Sequence, residues 1–321
     1  MNFLFKTKTR TPSEIVKTLY EYSTKLNLTN VAIAKSVDEI AKCTSAILAI
    51  LQDSNPDRKS GESNSELVVQ LAQEIYTTDV LVVLIPNLYK IKFERVVGNR
   101  EPTVGYLTKR PSILKDLIRG YNHQESAMFC GSMLRESIKH ESLLDIVLDS
   151  SEFFLFFNYV EIDNFDISSD AFANFRDALL RFKPRVCRFL MDNYENFFRH
   201  YEKLIVSTNY VIRRQSLKLL GEILLERKNF AVMTKYISSA DNLVLIMKAL
   251  ADKSKSIQYE AFHIFKIFVA NPNKAQPVYL ILKNNKEKLV TFLEHFQVEK
   301  DTDEQFRDEK AFLVKEIKKL V

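Results

Sequence analysis

The chain has 321 residues, 46% of them apolar, with only 6 Gly, 8 Pro and no Trp. So few turn-forming residues exclude a β-rich fold built on tight turns, and a glycine-looped nucleotide fold with it. The net charge of +5 is uneven: residues 211–321 carry 20 Lys/Arg against 14 Asp/Glu, a surplus that suits either a solvated helical surface or an acidic partner.

Helical periodicity runs through the sequence. The first fourteen residues are basic but lack the apolar core of a signal peptide. Pro12-Ser-Glu-Ile opens a first helix. Val37 to Gln52 forms a second, with Ile40, Ala41, Ala46, Ile47 and Ile50 on one face. Polar residues 54–63 read as a flexible linker. Helices with short connections then follow to the C-terminus, with no stretch that combines strand alternation and hairpin chemistry. No run approaches the roughly 18 apolar residues of a membrane span. Cys43, Cys130 and Cys187 are odd in number and sit at apolar helical positions, none in a C-x-x-C pair. They read as reduced core thiols of a soluble, cytoplasmic protein.

An internal repeat decides the architecture. Ala127-Met-Phe-Cys-Gly131, Ala171-Phe-Ala-Asn-Phe175, Ser216-Leu-Lys-Leu-Leu220 and Ala261-Phe-His-Ile-Phe265 align without gaps at spacings of 44, 45 and 45. Ile167, Ile212 and Ile257 lie four residues before the small residue, and Leu179, Leu224 and Val269 eight after it. Positions 0, +1, +4 and +8 share one helix face, and a small side chain there lets a neighbouring helix approach closely. A period near 45 is too long for tetratricopeptide or ankyrin units and fits armadillo/HEAT repeats. The expected fold is all-α, a right-handed armadillo/HEAT-like solenoid over residues 1–321 with a concave binding face.

Catalytic signals are absent from the sequence. There is no phosphate-binding loop, nucleophile elbow or zinc-protease motif. His123, His140, His200, His263 and His295 are scattered without metal-ligand spacing. The acidic stretches 161–170 and 299–309 lack the central Gly of a calcium loop and read as charges at helix N-termini. No catalytic residue, metal or cofactor is expected. If the small residues face the core, the helix around Ser216 leaves Arg214, Lys218 and Glu222 in one exposed i, i+4 row. One repeat on, that row is Tyr259, His263 and Ile267. Such a mixture of basic and aromatic groups suits protein recognition as well as an ordinary solvated face.

Several long segments carry a family resemblance: GSMLRESIKHE (131–141), YVEIDNFDISSDAFANF (159–175), NYVIRRQSLKLLGEILLERKNF (209–230), MTKYIS (233–238), SIQYEAFHIFKIFVANPNKAQP (256–277) and DEQFRDEKAFLVKEI (303–317). They resemble the mouse-protein-25-like family, also called calcium-binding protein 39, over nearly the whole chain. The resemblance implies a non-catalytic scaffold for protein kinases or pseudokinases of the sterile-twenty/germinal-centre class, monomeric within a hetero-complex. Fungal relatives of this kind serve polarised growth and cell separation. The implied mechanism is allosteric, with the scaffold favouring the active, closed kinase conformation. Phe165, Tyr210 and Arg214 correspond to the family's kinase-contacting surface, and Lys218 continues that row. Met247 corresponds to the family's pocket for a short Trp-Glu-Phe tail. The family's pocket lysine is replaced by Asn284, so the cation there falls to Lys283 or Lys286. The resemblance also implies one more helix between Glu94 and Arg95, a shortening near 94–96 of roughly 14 residues or about 20 Å of helix. That loss is expected to uncover apolar surface from Leu71 to Leu88 and from Ile113 to Leu117. An importin-like cargo adaptor fits less well, because such proteins use concave Trp ladders. A base-reading RNA-binding repeat would have a shorter period, so no nucleic acid is expected as partner.

Overall fold

A computed structural model describes residues 10–26, 33–51, 64–90, 101–300 and 302–320. Among these residues there are helices and no strand. One compact unit spans residues 1–177. It contains α1 (Pro12–Lys25), α2 (Ile33–Leu51), α3 (Asn64–Thr78), α4 (Val80–Leu84), α5 (Glu101–Thr108), α6 (Pro111–Arg119), α7 (Gln124–Ser137), α8 (Glu141–Leu148), α9 (Phe156–Tyr159) and most of α10 (Phe165–Leu180). A second unit spans residues 178–321. It consists of α11 (Lys183–Asp192), α12 (Tyr194–Ile205), α13 (Tyr210–Leu225), α14 (Phe230–Ile237), α15 (Ala240–Leu250), α16 (Lys255–Ala270), α17 (Gln276–Asn284), α18 (Lys286–Glu294) and α19 (Glu304–Lys318). Grouped in threes, α11–α13, α14–α16 and α17–α19 are successive repeats.

The first helix forms as its sequence predicts. Thr11 and Glu14 close a capping box, and Pro12 takes the first helical position. The second helix starts earlier than the apolar spacing indicated, at Ile33, because Ala34 and Lys35 favour helix although they fall outside the apolar stripe. Residues 52–63, with the expected linker, and 91–100, with the expected shortening, lie outside the described residues. The expected uncovering of apolar surface holds only in part. Leu71, Val80, Leu84, Leu88, Ile113, Leu114 and Leu117 are buried, because α1 packs on α3 and α4 while α6 packs on α7 and α8, whereas Ile75, Leu81, Val82 and Val83 are half-exposed.

The repeat appears in the structure as a recurring third helix, carried by α7, α10, α13 and α16. Ala127, Ala171, Ser216 and Ala261 are each 0% exposed. The flanking Ile167, Ile212, Ile257, Leu179, Leu224 and Val269 are buried with them. Met128 is the exception, exposed where Phe172, Leu217 and Phe262 are buried. Its helix is covered mainly by α6 and by the 3₁₀ turns Ile85–Lys90 and Gly120–Asn122, which leave that side open.

The same period sets the helix starts. The Asn164 side chain accepts the N–H of Asp166 and Ile167 at 3.1 and 3.2 Å. Asn209 caps α13 in the same way, and Ser254 and Asp303 cap α16 and α19. The two acidic stretches therefore sit at helix N-termini, where the partial positive charge of unpaired N–H groups favours them. Asn209→Ala is expected to cost about 1 kcal/mol, read as a lower urea midpoint at unchanged m-value. Seven residues after the cap, where Ala171, Ser216 and Ala261 stand, α19 carries the buried Lys310, whose Nζ donates to the Phe296 carbonyl at 3.2 Å.

In the first unit a buried polar network ties α7 to α10. The Asp170 carboxylate accepts the Tyr121 hydroxyl at 2.5 Å and Nδ2 of Asn174 at 3.2 Å, and pairs with Arg135. Nδ2 of Asn174 also donates to the Tyr121 hydroxyl at 2.7 Å and the Gly131 carbonyl at 3.1 Å. Burial, the Asp170 hydrogen bond and its charge push the Tyr121 phenol well up.

Candidate functional site

In the second unit α16 packs between α13 and α19. Apolar residues fill these contacts, so the polar flank of each third helix is left toward solvent. Tyr210 occupies the first position of α13, just after its Asn209 cap, and is 49% exposed. Arg214 follows one turn later and Lys218 a further turn on, both exposed. The predicted row is thus present, although Glu222 is only half exposed.

This row is not a set of free side chains. Arg214 pairs with Glu260 of α16 at 3.4 Å, and the Glu260 side chain is only 11% exposed. The preceding Arg213 takes a different acid, Asp252, at 2.6 Å. The Tyr210 phenol is held below its ordinary value by hydrogen bonding to Ser256, with smaller help from Ser254 and the Arg214 charge. The start of α16 therefore fixes the start of α13. Lys218 makes no ion pair among the described residues.

On α16 the predicted Tyr259 and His263 meet edge to face, their ring centroids 4.5 Å apart. Lys300, from the segment before α19, places its Nζ 3.4 Å from the Tyr259 ring centre, a cation–π arrangement. Phe306 lies 5.9 Å from the same ring. Burial raises the Tyr259 phenol, helped by the Asp303 and Glu260 charges. Burial and the neighbouring Lys266 lower His263, which favours the neutral ring. Beside it Lys266 forms an ion pair with Glu309 of α19. The Lys266 and Gln305 hydrogen bonds keep Glu309 below the usual carboxylate range against the opposing effect of burial.

The other predicted residues lie elsewhere. Phe165 belongs to the first unit, in the first turn of α10, and is 66% exposed. Met247 is half-buried on α15, and Lys283 is exposed on α17, a helix that packs on α15. Lys286, the alternative cation, donates to the Leu320 carbonyl at 2.8 Å and is thereby committed to the chain end. Spacing reasoning missed Glu260, Lys300 and Glu309. Only Glu260 had a usable signal: it is an acid 46 residues after an exposed arginine, close to the repeat period.

Among the described residues no group of three His, Cys, Asp or Glu side chains is placed to share a metal ion. No single helix there is long and apolar enough to cross a membrane. The segments Glu66–Thr78 and Val80–Leu88 pass only as a pair, bent by 64°. Cys43, Cys130 and Cys187 are free thiols.

Stacked three-helix repeats with buried small residues and polar outer flanks define an armadillo-type helical-repeat protein. Residues 3–321 match the Mo25-like family. The chain is 47% identical to the human protein "Calcium-binding protein 39-like", covering 99% of this chain and 97% of that one. It is 45% identical to "MO25-like protein 2" of Caenorhabditis elegans, covering 99% and 98%. A "Mo25-like protein" of Schizosaccharomyces pombe is 42% identical, with all of both chains covered. The chain belongs to the Mo25-like family, a family of scaffold-type proteins. The human alignment has 331 positions against 321 residues here, so that relative carries residues without a counterpart in this chain.

Proposed function

We propose that this protein is a cytoplasmic, non-catalytic scaffold that binds and activates a protein kinase or pseudokinase of the sterile-twenty/germinal-centre class. The α13–α16 face of the second unit contacts the kinase, Phe165 of the first unit supplies a separate contact, and Met247 with Lys283 receives a short aromatic-acidic tail. The protein acts as one copy in a hetero-complex, without cofactor or nucleic acid. Activation needs no reactive group: binding one kinase conformation more tightly shifts the population toward it. The observation that carries this reading is the row Tyr210, Arg214 and Lys218, exposed on α13 beside Tyr259 and His263 of α16.

The test is Arg214→Ala. Arg214 is 48% exposed, so losing its ion pair is expected to cost under about 1 kcal/mol of stability. Binding of a recombinant sterile-twenty-class kinase domain is expected to fall at least about tenfold, and its activation with it. Unchanged binding and activation would show that the face is wrongly placed.

A further inference from the structure

We infer that Glu260 is the positioning residue of the α13 face, holding Arg214 so that the free edge of its guanidinium meets an acidic side chain of the partner. The inference rests on the kinase-binding reading of Arg214 given above.

Two consecutive arginines are sorted onto two acids of α16 and its leading loop: Arg213 to Asp252 at 2.6 Å, and Arg214 to Glu260 at 3.4 Å. The pairs differ in exposure. Arg213 and Asp252 are 28% and 17% exposed, and both belong to the packed contact. Arg214 is 48% exposed while Glu260 is 11% exposed. The Glu260 carboxylate is thus the fixed member of its pair and Arg214 the one that faces outward.

The mostly covered Glu260 carboxylate anchors one edge of the half-exposed Arg214 guanidinium. A guanidinium has five N–H donors on a planar fork, and one contact leaves most of them open. A second carboxylate can therefore dock on the free edge without displacing the first. A long arginine that is already oriented loses less freedom on binding than a loose one. The surroundings keep the choice on Arg214. Glu260 also acts electrostatically on Tyr210 and on Tyr259, so it lies between both partner-facing helices. Two nearby cations are engaged elsewhere: Lys266 is held by Glu309 and Lys300 lies over the Tyr259 ring.

A double-mutant cycle on the full chain tests this, with a recombinant sterile-twenty-class kinase domain as probe. Glu260→Ala is expected to weaken binding about fivefold to tenfold. In the Arg214→Ala background the same change is expected to do nothing further. Glu260→Gln, which keeps shape and one acceptor oxygen, should recover part of the loss. A second readout needs no partner: Arg214 Nε–H relaxation by NMR should show a looser side chain in Glu260→Ala. A purely structural residue would lower the melting temperature equally in both backgrounds and leave the two binding losses multiplicative. Tighter binding by Glu260→Ala, multiplicative losses, or unchanged Arg214 mobility would each overturn the inference. Should Arg214→Ala bind normally, both the face and this role for Glu260 fall. A loss in Arg214→Ala with none in Glu260→Ala removes only the latter.

Discussion

Phe262→Ala is expected to destabilise the second unit by about 3–5 kcal/mol. Phe262 is fully buried on α16. Its ring lies 5.4 Å from Phe296, 5.1 Å from Phe306 and 6.0 Å from His263. Truncation removes the apolar contacts and leaves a hole between α16, α19 and the Phe296 turn, which three aromatic neighbours are too rigid to fill. The repeat offers no slack on the other side, because the adjacent Ala261 is already the small residue at its own contact. Urea unfolding followed by circular dichroism measures the loss. A change below about 1 kcal/mol would mean that this cluster is not the core of the last two repeats.

Gly131→Ala is expected to cost about 3 kcal/mol, against the direction of intrinsic propensity. Alanine is the better helix former by about 1 kcal/mol, and Gly131 lies inside α7. A Cβ at this position would run into the Asp170 carboxylate and the Tyr121 hydroxyl. Neither can retreat freely: Asp170 is held by Arg135 and Asn174, and Tyr121 by Asp170 and Asn174. Moving one strands buried polar atoms of the others. Thermal unfolding supplies the measurement, and Tyr121→Phe in the same chain should return part of the loss by clearing the hydroxyl. An increase in stability would show that propensity outweighs the network.

The architecture was legible because its signals are local and repeated. A small residue about every 45 positions and its apolar flanks can be read from the chain alone, and each has one physical job. The exposed row on α13 followed from the same periodicity. What periodicity could not supply was the partner of each exposed group. Arg214 reads as free on a helical wheel but is claimed by Glu260, and Tyr259 is covered by Lys300 from a loop. The Tyr121–Asp170 network joins residues 49 apart and has no period at all. The expected exposure of Leu71 to Leu88 was only partly met for a related reason: apolar spacing does not say which helices pack together, and α1 packs on α3 and α4.

Each third helix of the second unit also touches its counterpart in the next repeat, α13 on α16 and α16 on α19. Cohesion is therefore passed along neighbour by neighbour. Because α19 meets α16 over a smaller contact than α13 does, backbone amides of α17 to α19 can open to solvent while α11 to α16 remain closed. The Lys300 and Glu309 side chains leave with that opening, whereas the Arg213–Asp252 and Arg214–Glu260 pairs stay behind. The proposed binding surface thus loses reach before it loses its centre.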